Sequence, residues 1–297
     1  MLDAGALPPG TLLGGARIGP RLASGSQGTL YEAVDQARGA ARVLKAWRGE
    51  DPALDPAAQA EARDRFLADG ERATLLRHPG IVRVFGGGIS HGVAFIVMER
   101  AAGADLTRHT QPDTLLPVPS VLRIAAALAS ALAFAHRRGV VHRDVKPANV
   151  LYAATGDAAA GAVKLVDFGL ARTADAAATR SGVFLGSPLY MAPELLAGAP
   201  PDAASDLYAL GVLTYELLAG RPPLEGGSMG ELLRAVADEA PRPFSHGRPD
   251  LTPAQAQALD ALLAPLLAKA ARDRLADGDA WAERVRRLAA QWPITAS

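Results

Sequence analysis

Residues 142–149 place a carboxylate, an ammonium group and a carboxamide within six positions, at Asp144, Lys146 and Asn149. A carboxylate can accept a proton from an attacking hydroxyl, and an ammonium group can neutralise charge on a moving phosphoryl group. A carboxamide oxygen can hold a metal ion. Each residue alone is more often a surface or capping group, but the three together suit phosphoryl transfer.

The composition of the chain is that of an ordinary globular protein. It has 297 residues, 49% hydrophobic and 21% charged, which is enough for one large core or for two lobes around a cleft. Thirty-one basic residues balance thirty-one acidic ones, so no overall field favours nucleic acid or an anionic membrane as the main partner. Because cysteine is absent, disulfides and thiolate metal sites are excluded.

The sequence predicts neither a secretory signal nor a membrane span. The N-terminus lacks a basic segment followed by an apolar run. The longest apolar stretch, residues 124–135, is too short to cross a bilayer and is followed at once by a histidine and two arginines. We therefore expect a cytoplasmic protein.

The elements before residue 104 are predicted to be mainly strands. A hairpin carries Gly25 and Gly28, which would let backbone N–H groups approach phosphate oxygens, although a plain hairpin fits the same residues. A helix is predicted from about residue 57 to 77, where Gly70 costs about 1 kcal/mol relative to alanine. Two further strands are predicted at residues 81–85 and 93–98, joined by a glycine turn at residues 86–88.

The elements after residue 104 are predicted to be mainly helical. One helix is expected to be capped by Ser120 and to lead into the loop at residues 142–149. A hairpin follows at residues 150–152 and 163–166. Later helices are expected to start at Ser205, with an end at Gly220, and at the capping box of Thr252 and Gln255.

In this order the motifs resemble those of the bacterial eukaryotic-like (Hanks-type) serine/threonine protein kinases, over about residues 12–290. The loop at 142–149 is similar to the family's catalytic loop, and Asp167-Phe168-Gly169 follows eighteen residues after Asn149. Residues 186–194 resemble the substrate-platform motif that ends in Ala-Pro-Glu.

The resemblance implies an α+β, bilobal protein kinase-like fold. It combines a small antiparallel sheet with one main helix in the N-lobe and a mostly helical C-lobe. The implied organisation is one kinase domain, with a flexible leader at 1–10, the N-lobe at 11–98, the hinge at 99–103 and the C-lobe at 104–297.

The resemblance also implies ATP and Mg²⁺ as cofactors, with Mn²⁺ as an alternative metal. Asp144 would orient and deprotonate the substrate hydroxyl while Lys146 steadies the γ-phosphate, and Asn149 and Asp167 would hold the metal. Lys45 would contact the α- and β-phosphates. The residues implied to line the nucleotide site are Leu22, Gly25, Gly28, Leu30, Val43, Lys45, Met98, Glu99, Ala101, Leu151 and Asp167.

Ala23 and Asp69 both depart from the family pattern at positions that matter for nucleotide binding. Ala23 occupies the first glycine position of the phosphate loop, which restricts the backbone there. Asp69 occupies the position of the helix glutamate that pairs with Lys45, and its side chain is shorter by one C–C bond, about 1.5 Å. Glu71 lies about 200° around the helix axis and should face elsewhere. We therefore expect the helix to be mobile and regulated.

The resemblance implies regulation through the segment that follows Asp167. Arg143 matches the arginine that marks kinases whose activation loop is ordered by phosphorylation, and Arg172 matches a second basic position of the same pocket. A phosphate on Thr179 or Ser181 would gain charge-assisted hydrogen bonds from this cluster. Ser187 stands where the substrate platform has threonine and keeps the hydroxyl.

Three further residues are implied to support the site. Asp206 would bond the backbone of the catalytic loop, and Arg274 would pair with Glu194. The implied activity is transfer of the γ-phosphoryl group of ATP to serine and threonine hydroxyls of protein substrates. Autophosphorylation of the activation loop in a transient homodimer is expected, with neither nucleic acid nor a membrane as a partner.

Two other classes of function stay open. A pseudokinase or nucleotide-binding regulatory scaffold is motivated by Ala23 and Asp69, although Lys45, Asp144 and Asp167 are all present. A small-molecule phosphotransferase of related fold is weaker, because such enzymes lack the Ala-Pro-Glu platform. Incubation with ATP and Mg²⁺ discriminates these classes.

Overall fold

The computed structural model describes residues 7–25, 28–47, 55–154, 163–168, 188–246, 248, 250–275 and 277–292. Within these residues a six-stranded antiparallel sheet with one long helix precedes a mostly helical part that carries a small three-stranded sheet. The expected two-lobed α+β architecture is therefore confirmed.

The larger sheet has the strand order β1-β2-β3-β4-β6-β5. Leu30 of β3 lies opposite Lys45 of β4, which in turn lies opposite Ile96 of β6. Three consecutive residues are buried in β4 (Leu44 to Ala46) and in β6 (Ala94 to Ile96), so both faces of the sheet are covered at its centre. The strands are β1 Leu12–Leu13, β2 Ala16–Gly25, β3 Gly28–Asp35, β4 Ala41–Ala46, β5 Val84–Ser90 and β6 Val93–Glu99.

Helix α1, Pro56–Ala73, packs on this sheet. It starts with proline in its first turn and with Asp55 as N-cap, whose carboxylate accepts from the backbone N–H of Ala58 at 2.8 Å. The helix ends four residues before the predicted end. The reason is that the backbone N–H groups of Thr74 and Leu75 donate three residues back, which closes the last turn.

The glycine turn predicted at residues 86–88 is wrong, because those glycines lie inside β5 and the turn is at His91 and Gly92. A Cβ on Gly87 would lie 2.4 Å from the carbonyl oxygen of Phe95, so glycine here allows close approach of the neighbouring strand. Ile81, predicted to start the strand, forms only an isolated bridge to Leu165.

The second part of the chain is built around two central helices, α2 Val118–His136, which is mostly buried, and α4 Ala203–Ala219, which is almost completely buried. A small sheet of β7 Ala104–Asp105, β8 Val150–Tyr152 and β9 Val163–Leu165 lies beside them, in which β8 and β9 form the predicted hairpin. The helices are α2 Val118–His136, α3 Pro193–Leu196, α4 Ala203–Ala219, α5 Met229–Asp238, α6 Pro253–Leu267 and α7 Gly278–Gln291.

Two predicted helix starts are wrong, by three residues for α2 and by two residues for α4. Ser120 lies inside the first turn of α2, which begins after Pro117. Asp202 forms a capping box with Ser205, so Ser205 is the third residue of α4. The predicted helix end at Gly220, with φ 70°, and the capping box at the start of α6 are confirmed.

By length and composition, α2 is the helix of the described chain that could cross a membrane. However, 67% of its apolar window is buried inside the protein. Its apolar character is accounted for by its position in the core of the helical lobe.

Candidate active site

A buried carboxylate of α4 fixes the loop at residues 142–149. Asp206 accepts from the backbone N–H of His142 at 2.7 Å through Oδ2 and from that of Arg143 at 2.8 Å through Oδ1. Nε2 of His136, in the last turn of α2, lies 2.8 Å from the same Oδ2. The side chain of Asp206 is 1% exposed, so these hydrogen bonds replace its solvation. The expected contact between Asp206 and the loop backbone is present.

His142 connects this loop to the strand that precedes Asp167. Its Nδ1 accepts from the backbone N–H of Asp144 at 3.2 Å, so Nε2 carries the ring hydrogen and donates to the carbonyl oxygen of Val166 at 2.8 Å. The ring also meets Phe168 edge-on, with centroids 4.5 Å apart. No role was predicted for His142, because its contacts with Val166 and Phe168 join residues more than twenty positions apart in the sequence.

The three candidate catalytic side chains of the loop lie together. Lys146 Nζ is 2.8 Å from Asp144 Oδ2, and Asn149 Nδ2 donates at 2.8 Å to both Oδ2 and the carbonyl oxygen of Asp144. About a quarter of the Asp144 and Lys146 side chains is exposed, at 24% and 25%. A substrate hydroxyl can therefore reach a carboxylate that is oriented by two hydrogen-bonding neighbours.

Lys45 pairs with Asp167 across the cleft. Its Nζ lies 3.1 Å from Asp167 Oδ2, and the lysine is almost completely buried, which makes an anionic neighbour necessary. Asp167 has φ 62° and Arg143 has φ 74°, both in the left-handed region that is uncommon for residues with a Cβ. Such backbone strain is concentrated at functional sites.

The oxygen donors of Asn149 and Asp167 fit a magnesium ion. Asn149 uses Nδ2 to bond Asp144, so its Oδ1 is the atom that can face a cation. The backbone N–H of Val166 donates to the carbonyl oxygen of Asn149 at 3.0 Å, which places Asp167 beside it. Within the described chain no three acidic or histidine side chains form a metal cluster, so phosphate oxygens would have to complete the coordination.

The candidate adenine pocket involves Val43 and Met98, which lie opposite each other on β4 and β6. Val43 and Ala101 both pack against the buried apolar cluster that contains Met98. Glu99, the last residue of β6, is held by Lys164 of β9 at 2.9 Å and by the backbone N–H of Arg83 at 3.1 Å. Lys164 could not be predicted as a partner of Glu99, because a lone lysine in a strand carries no sequence signal.

The remaining nucleotide-site candidates flank this pocket. Leu30 faces Lys45 across the sheet, Leu151 lies on β8, and Leu22 is half exposed on β2. Gly25 and Gly28 are opposite each other at the tip of the first hairpin, whose residues 26–27 lie outside the described chain.

The three positions of the phosphate loop differ in their need for glycine. Gly28 has φ 140°, and a Cβ there would lie 2.3 Å from the carbonyl oxygen of Ala46, whereas Gly25 has open space around it. Ala23 pairs with Leu30 as an ordinary strand residue. Of the three, only Gly28 is required by the backbone.

Three of the four candidate regulatory residues and the substrate-platform residue Ser187 fall outside the described chain. Arg172, Thr179, Ser181 and Ser187 lie within residues 169–187, outside the described chain. Asp69 is described: it lies in α1, is 13% exposed and accepts from Arg72 Nη1 at 2.9 Å. Its pairing with Lys45 stays a prediction.

The expected pair of Glu194 and Arg274 is present. Arg274 Nη1 and Nη2 lie 2.6 and 2.7 Å from the two carboxylate oxygens, an arrangement that is bidentate. The arginine side chain is 0% exposed and also donates to the carbonyl oxygens of Ala268 and Lys269. This pair anchors the start of α3 to the loop that follows α6.

Comparisons with known proteins agree with this geometry. The protein kinase domain family matches residues 17–285. The chain is 41% identical to the serine/threonine-protein kinase PkaA of Streptomyces coelicolor, over 74% of this chain and 42% of that protein. It is 36% identical to PknA of Mycobacterium tuberculosis, over 82% of this chain and 55% of that protein. It is also 36% identical to a protein of Corynebacterium efficiens named as a probable serine/threonine-protein kinase, over 86% of this chain and 38% of that protein. The chain thus spans about two-fifths to just over half of these relatives.

Proposed function

Because this chain belongs to the protein kinase domain family, we propose that it is an ATP-dependent serine/threonine protein kinase. It transfers the γ-phosphoryl group of ATP to serine and threonine hydroxyls of proteins. The observation that carries the proposal is the contact of Lys146 with Asp144 at 2.8 Å, in a loop held by buried Asp206. This arrangement supplies a proton acceptor and a positive charge at one point.

The residues of the site divide the reaction between them. Asp144 orients the substrate hydroxyl and accepts its proton as the oxygen attacks the γ-phosphorus, and the β–γ bridging bond breaks to leave ADP. Lys146 neutralises charge on the γ-phosphoryl group, and Lys45 contacts the α- and β-phosphates. Asn149 and Asp167 hold the metal, and Mg²⁺ when bound neutralises charge on the β- and γ-phosphate oxygens. Mn²⁺ has the same hard-ligand preference and is the alternative metal.

Regulation by phosphorylation forms part of the proposal. A phosphate on Thr179 or Ser181 is held by Arg143 and Arg172, and it is added by a second copy of the chain in a transient homodimer. Ser187 contributes to the protein-substrate platform. The backbone of Arg143 is left-handed and its N–H donates to Asp206. Both features fix the position of its Cα, which supports a role for this arginine in holding the phosphate.

The organisation of the domain and its location are also proposed. The leader, N-lobe, hinge and C-lobe have the boundaries given above, and the protein acts in the cytoplasm. The balance of thirty-one basic and thirty-one acidic residues supports proteins, rather than nucleic acid or membranes, as its partners.

The test is phosphate gain by intact mass. Purified protein incubated with ATP and Mg²⁺ should gain phosphate or label a generic protein substrate, and Asp144→Asn should lower the rate by about 10² to 10⁴. Asp113→Asn is the matched control, since this exposed carboxylate lies outside the site. If wild type binds ATP but neither it nor the substrate gains phosphate, the alternative of a nucleotide-binding scaffold replaces the kinase.

A further inference from the structure

The register of β4 and β6 shows on which face of the sheet the side chain of Lys45 lies relative to α1. Lys45 and Ile96 lie directly opposite each other on β4 and β6, and side chains of such a pair leave the same face of a sheet. Ile96 is 1% exposed and packs against α1, where the ideal Cβ of Gly70 would lie 2.6 Å from its Cδ1. The side chain of Lys45 therefore lies on the face of the sheet that α1 covers, beside Ile96.

Gly70 sets how close α1 comes to β6. A Cβ at this position would also lie 2.8 Å from Ile96 Cγ1, and separations below 3.0 Å require something to move. Ile96 packs in a buried cluster that includes Phe66, Val82 and Met98, so a Cβ at position 70 acts against packed side chains. A side chain at position 70 would therefore push the helix away from the sheet.

The neighbouring residue makes this spacing relevant to the chemistry. Asp69 is shorter by about 1.5 Å than a glutamate would be. It is largely buried, at 13% exposed, and is the residue proposed to hold Lys45. We propose that Gly70 is a positioning residue that compensates for this short side chain: without a Cβ, α1 lies close enough to β6 for Asp69 to reach Lys45. The inference rests on the proposed kinase function, because it concerns how Lys45 is held for the nucleotide.

Gly70 is an unfavourable residue for the helix in which it lies. Glycine inside a helix costs about 1 kcal/mol relative to alanine, and Gly70 lies in the interior of α1. The sequence alone suggested that this glycine loosens the helix. The contact with Ile96 indicates instead that it brings the helix closer, and that positions 69 and 70 are matched in size.

If the side chains at positions 69 and 70 are matched in size, a longer side chain at position 69 should restore the activity lost by adding a Cβ at position 70. Gly70→Ala moves α1 outward and should lower kcat by about tenfold or more, since a displacement of about 1 Å can cost up to 10²-fold. Asp69→Glu in the wild-type background should not raise kcat, because the longer side chain has no gap to span. The double variant Asp69→Glu with Gly70→Ala should recover kcat to within about threefold of wild type, because the longer carboxylate spans the wider gap.

The experiment measures kcat, KM for ATP and the melting temperature of these variants. Glutamate does not relieve the contact with Ile96, so the double variant should recover kcat without recovering the melting temperature. Gly230→Ala is the matched control, because Gly230 lies in α5 with open space around its Cβ position, and its kcat should equal that of wild type. The inference is overturned if Asp69→Glu alone raises kcat, or if the double variant is no more active than a folded Gly70→Ala.

Crystal structures separate a failure of the inference from a failure of the proposed function. An inactive wild type contradicts the kinase proposal. The inference is then decided by the distance from Lys45 Nζ to the carboxylate at position 69. That distance should be longer in Gly70→Ala than in wild type and should be restored in the double variant. An unchanged distance overturns it.

Discussion

Nε2 of His142 lies 2.8 Å from the carbonyl oxygen of Val166, and this hydrogen bond joins the catalytic loop to the strand that ends at Asp167. The same ring accepts from the backbone N–H of Asp144. One buried neutral imidazole therefore sets the spacing between the proposed proton acceptor and the proposed metal ligand. Such support from behind a site fixes its geometry without contact with the substrate.

Replacement of His142 by alanine should lower kcat by about 10-fold to 100-fold, since it removes both hydrogen bonds and the ring contact with Phe168. The melting temperature should fall as well, because a fully buried side chain is lost. Steady-state kinetics on a peptide substrate measure the effect. His91→Asn, in the exposed turn between β5 and β6, is the control and should match wild type. Equal kcat values for the two variants would contradict the role of His142.

The local motifs could be read from the sequence because each is carried by residues close together in the chain. The capping box of α6, the glycine after α4 and the loop at residues 142–149 depend on a few neighbours, and the structure has them where expected. The long pairs Glu194–Arg274 and Asp206 with the loop backbone were found through the family resemblance alone.

The features that were predicted wrongly or not at all depend on contacts between distant parts of the chain. Gly86 to Gly88 have the composition of a turn, but approach of β6 selects them as strand residues. The side-chain contacts of His142 and Lys164 depend on tertiary neighbours that no local pattern contains. The packing role of Gly70 also depends on a tertiary neighbour, because its lack of a Cβ allows close approach to Ile96.

Asp206→Asn should destabilise the protein by about 2 to 4 kcal/mol and lower kcat. The carboxylate accepts from two backbone N–H groups and bonds His136, whereas an amide offers a single acceptor oxygen and would turn a donor towards another donor. Chemical denaturation measures the loss. The control is Asp202→Asn in the same helix, since asparagine caps a helix about as well as aspartate. A loss no greater than that of the control would contradict this account of Asp206.

Breaking the pair of Glu99 and Lys164 should raise KM for ATP several-fold with a smaller effect on kcat. The pair ties the end of β6 to β9 at 2.9 Å and is about 20 to 30% exposed, so we expect a stability loss of about 1 kcal/mol. Lys164→Met and Glu99→Gln, singly and together, form a double-mutant cycle. The effects should be less than additive, because either change alone removes the interaction. Full additivity would show that the two side chains act separately.

Lys269 should make the stability of the protein depend on pH in the alkaline range. Its Nζ donates to the carbonyl oxygens of Ala235 and Val236 at 3.2 and 2.7 Å, at the end of α5. Burial, followed by the charge of Arg274, lowers its pKa to about 8, whereas a lysine in the unfolded chain has a pKa of about 10.4.

Between these two pKa values the unfolded chain binds the proton that the folded protein releases, so the contribution of Lys269 to stability rises with pH. Below about pH 8 both states are protonated, and the cost of burying the charge is fully present. The free energy of unfolding of wild type minus that of Lys269→Met should therefore increase from pH 8 to pH 10, by less than about 1.4 kcal/mol per pH unit. Arg272→Met is the control, because this exposed guanidinium keeps its charge throughout, and its difference from wild type should be flat. If the difference in free energy of unfolding between wild type and Lys269→Met is also independent of pH, the lysine keeps an ordinary pKa in the folded protein.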